Sequence, residues 1–208
     1  MSTHDTYRQW KEQLFGSEQM IWHDGLDERA ASGLRGAARE DAVRMLRLGL
    51  AQDDAHAAQA LAAMDERGAS DEVRALLHRV SGGARVRVAL ALFRLAADAA
   101  MAAEISAVLA RMALHWGERI DAAMALRHFA DDESERALLA AIDDDEYLVR
   151  YHACDSLLVR WRVKPSDVGQ HRDIFALIAK SATGSERLAL SAEARTMLLA
   201  LRSVEAPR

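Results

Sequence analysis

The chain repeats itself, and a repeat restricts the possible folds more than any single motif does. Four stretches share one plan: "DAHAAQALAAM" (Asp54–Met64), "ARVRVALALFRLA" (starting at Ala84), "GERIDAAMALRHFA" (Gly117–Ala130) and "DEYLVRYHACDSLLV" (Asp145–Val159). Each has small residues at its centre followed by a leucine. The matching leucines Leu61, Leu92, Leu126 and Leu157 stand 31, 34 and 31 residues apart. Arginine sits seven positions before three of them, at Arg85, Arg119 and Arg150, and Asp54 takes that place in the first. A period near this length is one helical hairpin per repeat.

Second helical patterns fall between these stretches: "DEVRALLHRV" (Asp71–Val80), "AAMAAEISAVLARMAL" (Ala99–Leu114), "SERALLAAI" (Ser134–Ile142) and "SDVGQHRDIFALIAK" (Ser166–Lys180). Upstream, "AREDAVRMLRLGLAQ" (Ala38–Gln52) pairs with a degenerate first helix, "LDERAASGL" (Leu26–Leu34), and "SERLALSAEARTMLLALRSV" (Ser185–Val204) closes the series. "SGG" (Ser81–Gly83) and "TG" (Thr183–Gly184) read as turns. Alanine at the centre of one helix per pair permits close approach to a neighbour, and the leucine fills the layer between repeats. Val149, Ala153, Leu157 and Trp161 form an i, i+4 row directed at the core. The expected fold is all-α, a right-handed α-solenoid of about five to six stacked hairpins.

Composition agrees with helix. Half the 208 residues are hydrophobic, mostly alanine and leucine, and aromatics are only 5%. The net charge of −5 lacks the basic excess that phosphate binding favours. The single cysteine, Cys154, excludes an intrachain disulfide framework and a multi-thiolate zinc site. The polar start "MSTHDTYRQWKEQL" is unlike a signal peptide, and apolar runs are too short for a bilayer span, so a cytoplasmic protein without a membrane partner is expected.

The pattern resembles the HEAT-repeat family, in particular the short bacterial units of the phycobilisome-lyase type, in which an acidic residue precedes Val-Arg, alanines and a leucine. Asp145, Val149, Arg150, Ala153 and Leu157 carry the best match. Val86, Arg87, Ala89, Ala91 and Leu92 carry the next, with Val-Arg displaced by one position. The resemblance spans roughly residues 26–203. Accordingly, residues 1–25 are expected to cap the array, 26–204 to form a single HEAT-like domain, and 205–208 to be a disordered tail. In the capping segment Trp10 and Leu14 share one helical face.

Chemical motifs are sparse. His152, Cys154 and Asp155 lie on one helix, but i and i+2 neighbours point about 200° apart, so His152 and Cys154 do not form a catalytic pair. Cys154 reads as a core residue, and Asp155 as a partner for an arginine of an adjacent repeat. No HExxH, P-loop, GxGxxG or GxSxG occurs. Deoxyhypusine hydroxylases, HEAT-like iron enzymes, use His-Glu dipeptides, and this chain has none. Neither a metal nor an organic cofactor is expected. Alkylpurine DNA glycosylases, also HEAT-like, hold DNA on a basic concave surface with aromatics. Trp116, Tyr147, Tyr151 and Trp161 with Arg119, Arg150, Arg160 and Arg162 are the set that would correspond. A bilin lyase is a further enzymatic alternative.

The leading expectation is a non-catalytic scaffold that binds one protein partner through a mixed-charge surface: an adaptor, a chaperone-like factor or an immunity-type inhibitor. Glu72, Arg74, Glu104, Arg111, Glu135 and Arg136 are the expected exposed contact residues. The negative net charge argues against nucleic acid as the partner.

Overall fold

A computed structural model of the chain describes residues 3–205. Among these the fold is all-helical, with three short 3-10 turns and no strand. Two compact units divide it, Met1–Met101 and Ala102–Arg208.

The first unit holds α1 (Thr3–Phe15), α2 (Glu18–Asp24), α3 (Glu28–Ser32), α4 (Gly36–Ala51), α5 (Ala55–Ala63), α6 (Ser70–Leu77) and α7 (Gly82–Ala96). α3 lies on α5 and α5 on α7, while α4 and α6 pack beside one another as a second row. Alanine makes the close packing of α5 possible: Ala57, Ala58, Ala60 and Leu61 are fully buried. α1 docks on α4 and α3. Its Tyr7 is buried over Gly49, where a side chain would have no room: a Cβ there would stand 2.4 Å from the Tyr7 hydroxyl.

The second unit holds α8 (Met101–Leu109, starting at the boundary), α9 (Trp116–Leu126), α10 (Asp132–Ala140), α11 (Tyr147–Arg160), α12 (Arg172–Ala179) and α13 (Gly184–Glu205). α11 is its centre, touching α9, α10, α12 and α13. Val149, Ala153 and Leu157 are fully buried along the predicted row, and Trp161 is half-buried at its end. Leu92 and Leu126 are fully buried as well.

Helix starts follow side-chain chemistry. Asp54 caps α5 by accepting the His56 N–H at 2.9 Å, and Asp131 caps α10 by accepting the Ser134 N–H at 2.8 Å. His115 caps α9 through Nδ1, which accepts the Gly117 N–H at 3.1 Å.

Three local expectations are corrected. The stretch 99–114 is not one helix, because α8 stops at Leu109. The carbonyls of Met112 and Leu114 beyond it are claimed by the Arg119 guanidinium instead of a helical ladder. The stretch 166–180 splits into a 3-10 turn at Val168–Gln170 and α12, because Asp155 and Asp167 accept the N–H groups of Val168 and Gly169. Gly82 and Gly83 are buried first residues of α7, with Gly82 at φ 55°, a left-handed value that favours glycine. The expected tail at 205–208 begins at the last residue of α13, and 206–208 lie outside the described residues. No helix among the described residues is long and apolar enough to cross a membrane.

Candidate functional site

Four consecutive acidic residues, Asp143 to Glu146, precede α11. Asp143 accepts from Arg195 at 2.7 Å, and Asp145 pairs with Arg187 at 2.8 Å, so two carboxylates fasten α13. Asp144 is buried and takes two parallel bonds from Arg119 of α9, Nε and Nη2 each at 2.9 Å. Glu146 caps α11 by accepting the Leu148 N–H.

Arg150, buried inside α11, bonds to no carboxylate among the described residues. Its Nη1 donates to the carbonyls of Asp144 and Asp145, and Nε and Nη2 both donate to the carbonyl of Ile178 at the end of α12. Burial lowers its pKa, and the nearby Arg187 charge lowers it further.

The three repeat arginines thus share one task. Arg85 donates to the carbonyls of Val80 and Leu77, Arg119 to those of Leu114 and Met112, and Arg150 to those of Asp145 and Asp144. In each case one acceptor lies five residues back, so the arginine ties the loop entering its helix to that helix. Where Asp54 replaces arginine, the tie runs the other way. Asp54 accepts from the Tyr7 hydroxyl at 2.7 Å and from the Lys11 ammonium, both on α1. Burial pushes the Asp54 carboxyl up, but bonding to His56, the Lys11 charge and the Tyr7 hydroxyl together bring it well below its ordinary value. Tyr7 is raised by burial and by the same carboxylate.

The His152, Cys154 and Asp155 set holds structure rather than a nucleophile. Cys154 is fully buried and burial pushes its thiol up to about 12, which keeps it from being a thiolate. Asp155 accepts the Val168 N–H at 2.7 Å, so its direct partner is a backbone amide, with Arg127 acting on it through charge. No group of three metal-ligating side chains occurs among the described residues.

Of the aromatic and basic residues, Trp116 and Arg119 border a common cleft, while Tyr147, Tyr151 and Trp161 pack elsewhere. Arg119 and Arg150 are 5% exposed, Arg119 turned to Asp144 and loop carbonyls and Arg150 to carbonyls. Trp161 donates its indole N–H to Glu135 at 2.9 Å and lies under the Arg202 guanidinium. Tyr147 and Tyr151 pack edge-on against Phe175, and the Tyr151 hydroxyl donates to Asp167.

Trp116 is different. As the first residue of α9 it is 42% exposed, steadied by the His115 ring at 4.8 Å. It borders an open cleft of about 360 Å³ with Met112, Leu114, His115, Arg119, Asp145 and Glu146. Met112 is 52% exposed. A second cleft of about 280 Å³ shares Met112 and runs between the end of α8, at Ser106, Leu109 and Ala110, and the alanines of α10. Asp143 and Asp144 border it.

Of the expected contact residues, Glu72 on α6, Arg111 after α8 and Arg136 on α10 are exposed. Arg74, Glu104 and Glu135 were expected to be exposed and are half-buried. Arg74 pairs with Asp98 at 2.8 Å. Glu135 accepts from Trp161 and Arg202, which commits it to joining α10 to α11 and α13. Met112 and His115 went unrecognised in the sequence because the stretch reads as continuous helix. The chain matches no protein-family model, no curated protein and no solved structure.

Proposed function

We propose that the chain is a HEAT-like repeat protein, a right-handed α-solenoid of about five to six hairpins, that binds a protein partner and catalyses no reaction. It acts in the cytoplasm as an adaptor, a chaperone-like factor or an immunity-type inhibitor. The observation that carries this reading is the open cleft with exposed Trp116 and Met112, set among ionisable residues that are occupied in holding helices. Exposed tryptophan and methionine beside a polar rim are the residue types on which protein partners anchor. The equivalent use of Arg85, Arg119 and Arg150 supports a tandem origin, since each performs the same local fastening in its own hairpin.

The reading is tested by affinity capture from a lysate of the source organism, with the wild type beside a variant carrying Trp116→Ala and Met112→Ser, the two exposed residues of the cleft. One protein retained in stoichiometric amount by the wild type and lost by the variant is the expected result. Retention of nucleic acid with a steep fall in binding as salt rises, or of a pigment, would overturn it in favour of an enzyme on this scaffold.

A further inference from the structure

We propose that the groove running from Trp116 past Met112 to Ser106 is a docking site for an extended, basic segment of the partner protein, with a lysine or arginine of that segment laid on Trp116. The proposal rests on the protein-binding reading above and specifies its surface.

Shape and charge both point to this occupant. Met112 is common to the two clefts, and the consecutive carboxylates follow the same line: Asp143 and Asp144 border the second, Asp145 and Glu146 the first. Arg119 is the basic residue in the lining. Its Nε and Nη2 are bound to Asp144 and its Nη1 to the carbonyls of Leu114 and Met112, so its donors are turned to its own chain. Asp143 and Asp145 carry arginine partners from α13, whereas Glu146 accepts the neutral Leu148 N–H, makes no direct ion pair among the described residues, and acts on the buried Arg150 through charge alone. An exposed indole beside a carboxylate suits a guanidinium or ammonium, which gains from the ring face and from the anion together.

The rest of the groove suits a peptide's apolar side chains and backbone. Leu109, Ala110, Ala137 and Ala140 offer a small-residue wall that admits a chain closely. The Ser106 hydroxyl oxygen, a buried atom on that wall, has no hydrogen-bond partner among the described residues.

The test uses the full chain, isotopically labelled, titrated with two synthetic decapeptides: one alternating arginine with leucine, the other alternating glutamate with leucine. Backbone amide shifts are followed by NMR. The basic peptide should perturb residues 106–119 and 137–146 and weaken as salt rises. Trp116→Ala should reduce its affinity about tenfold and Glu146→Gln, which retains the cap, roughly threefold. Met112→Ser, in a loop, is a second aromatic-independent variant and should also weaken binding, with far-UV circular dichroism unchanged in all three. Perturbations elsewhere, or affinity unaffected by Trp116→Ala, would overturn the groove while leaving a scaffold with another face. Tighter binding of the glutamate peptide, or binding of neither at millimolar concentration, would overturn the cationic assignment. Failure of the scaffold reading itself is seen separately, as lysate capture that yields no protein.

Discussion

Replacing Arg119 by methionine tests whether the repeat arginines are structural fasteners. The Arg119 and Asp144 side chains are 6% and 3% exposed, and Arg119 makes two bonds to Asp144 and two to loop carbonyls. Methionine keeps the aliphatic stem and removes all four. Asp144 is then a buried carboxylate stripped of its bonded counter-ion, with Arg150 acting on it only through charge, and breaking a buried pair in this way costs about 3–5 kcal/mol. With a denaturant dependence of about 1–3 kcal/mol per molar in urea, the unfolding midpoint should fall by at least about 1 M. Circular dichroism and tryptophan fluorescence, read in parallel, would show whether the loss is confined to one of two transitions. Adding Asp144→Asn to Arg119→Met should recover part of the loss, because the amide still accepts the Glu146 N–H that Asp144 accepts at 2.8 Å, without a stranded charge. Lys180→Met serves as the control: its ion pair with Glu186 is exposed on both sides, 54% and 61%, and should matter by less than about 1 kcal/mol. An Arg119→Met midpoint indistinguishable from that of Lys180→Met would refute the argument.

Three further outcomes follow from other parts of the fold. Asp54→Asn should lower stability at pH 7 by about 1–3 kcal/mol and speed amide exchange in α1, because it removes the charge that holds Lys11 and Tyr7. Asp54 is depressed in the folded state, so its contribution is complete above about pH 4 and declines as pH falls through its lowered value. The wild type should therefore lose more stability than Asp54→Asn on acidification below that point, as measured by urea unfolding at several pH values. Gly49→Ala should displace Tyr7 and cost about 1–3 kcal/mol, seen as lower thermal stability together with faster exchange in α1. The Cys154 thiol should resist a disulfide-forming reagent in the native protein and react once per chain in denaturant, since it is fully buried and its pKa is pushed up to about 12.

Much of the helical organisation is legible in the sequence, and the limits of that legibility have physical causes. α5, α7, α9 and α11 cover the centres of the four repeated stretches, because alanine runs closed by leucine carry a strong period. α13 agrees with its predicted span to within a residue at each end. The end of α8 was hidden, since nothing in "ARMALHW" breaks a helix and the cause is a guanidinium arriving from Arg119. The repeat arginines were visible as a pattern but not as carbonyl donors, because a spacing does not say what the far end of a long side chain reaches. Asp145, the acidic residue of the best repeat match, is exposed, while its neighbour Asp144 is the buried partner of Arg119. Three adjacent aspartates look alike in sequence, and the turn between the 3-10 helix at Ala141–Asp143 and α11 decides which faces inward. Trp116 and Met112 form part of a cleft only because α8 ends early and lets the chain turn before α9.

The central claim is that the groove bounded by Trp116, Met112 and the 143–146 carboxylates is the working surface of this protein. Amide hydrogen exchange of the full chain, alone and saturated with the protein it captures, tests this most directly. The account predicts that protection on binding concentrates in residues 106–119 and 137–146. Protection confined to residues 3–101, with the groove exchanging as it does in the free chain, would contradict it.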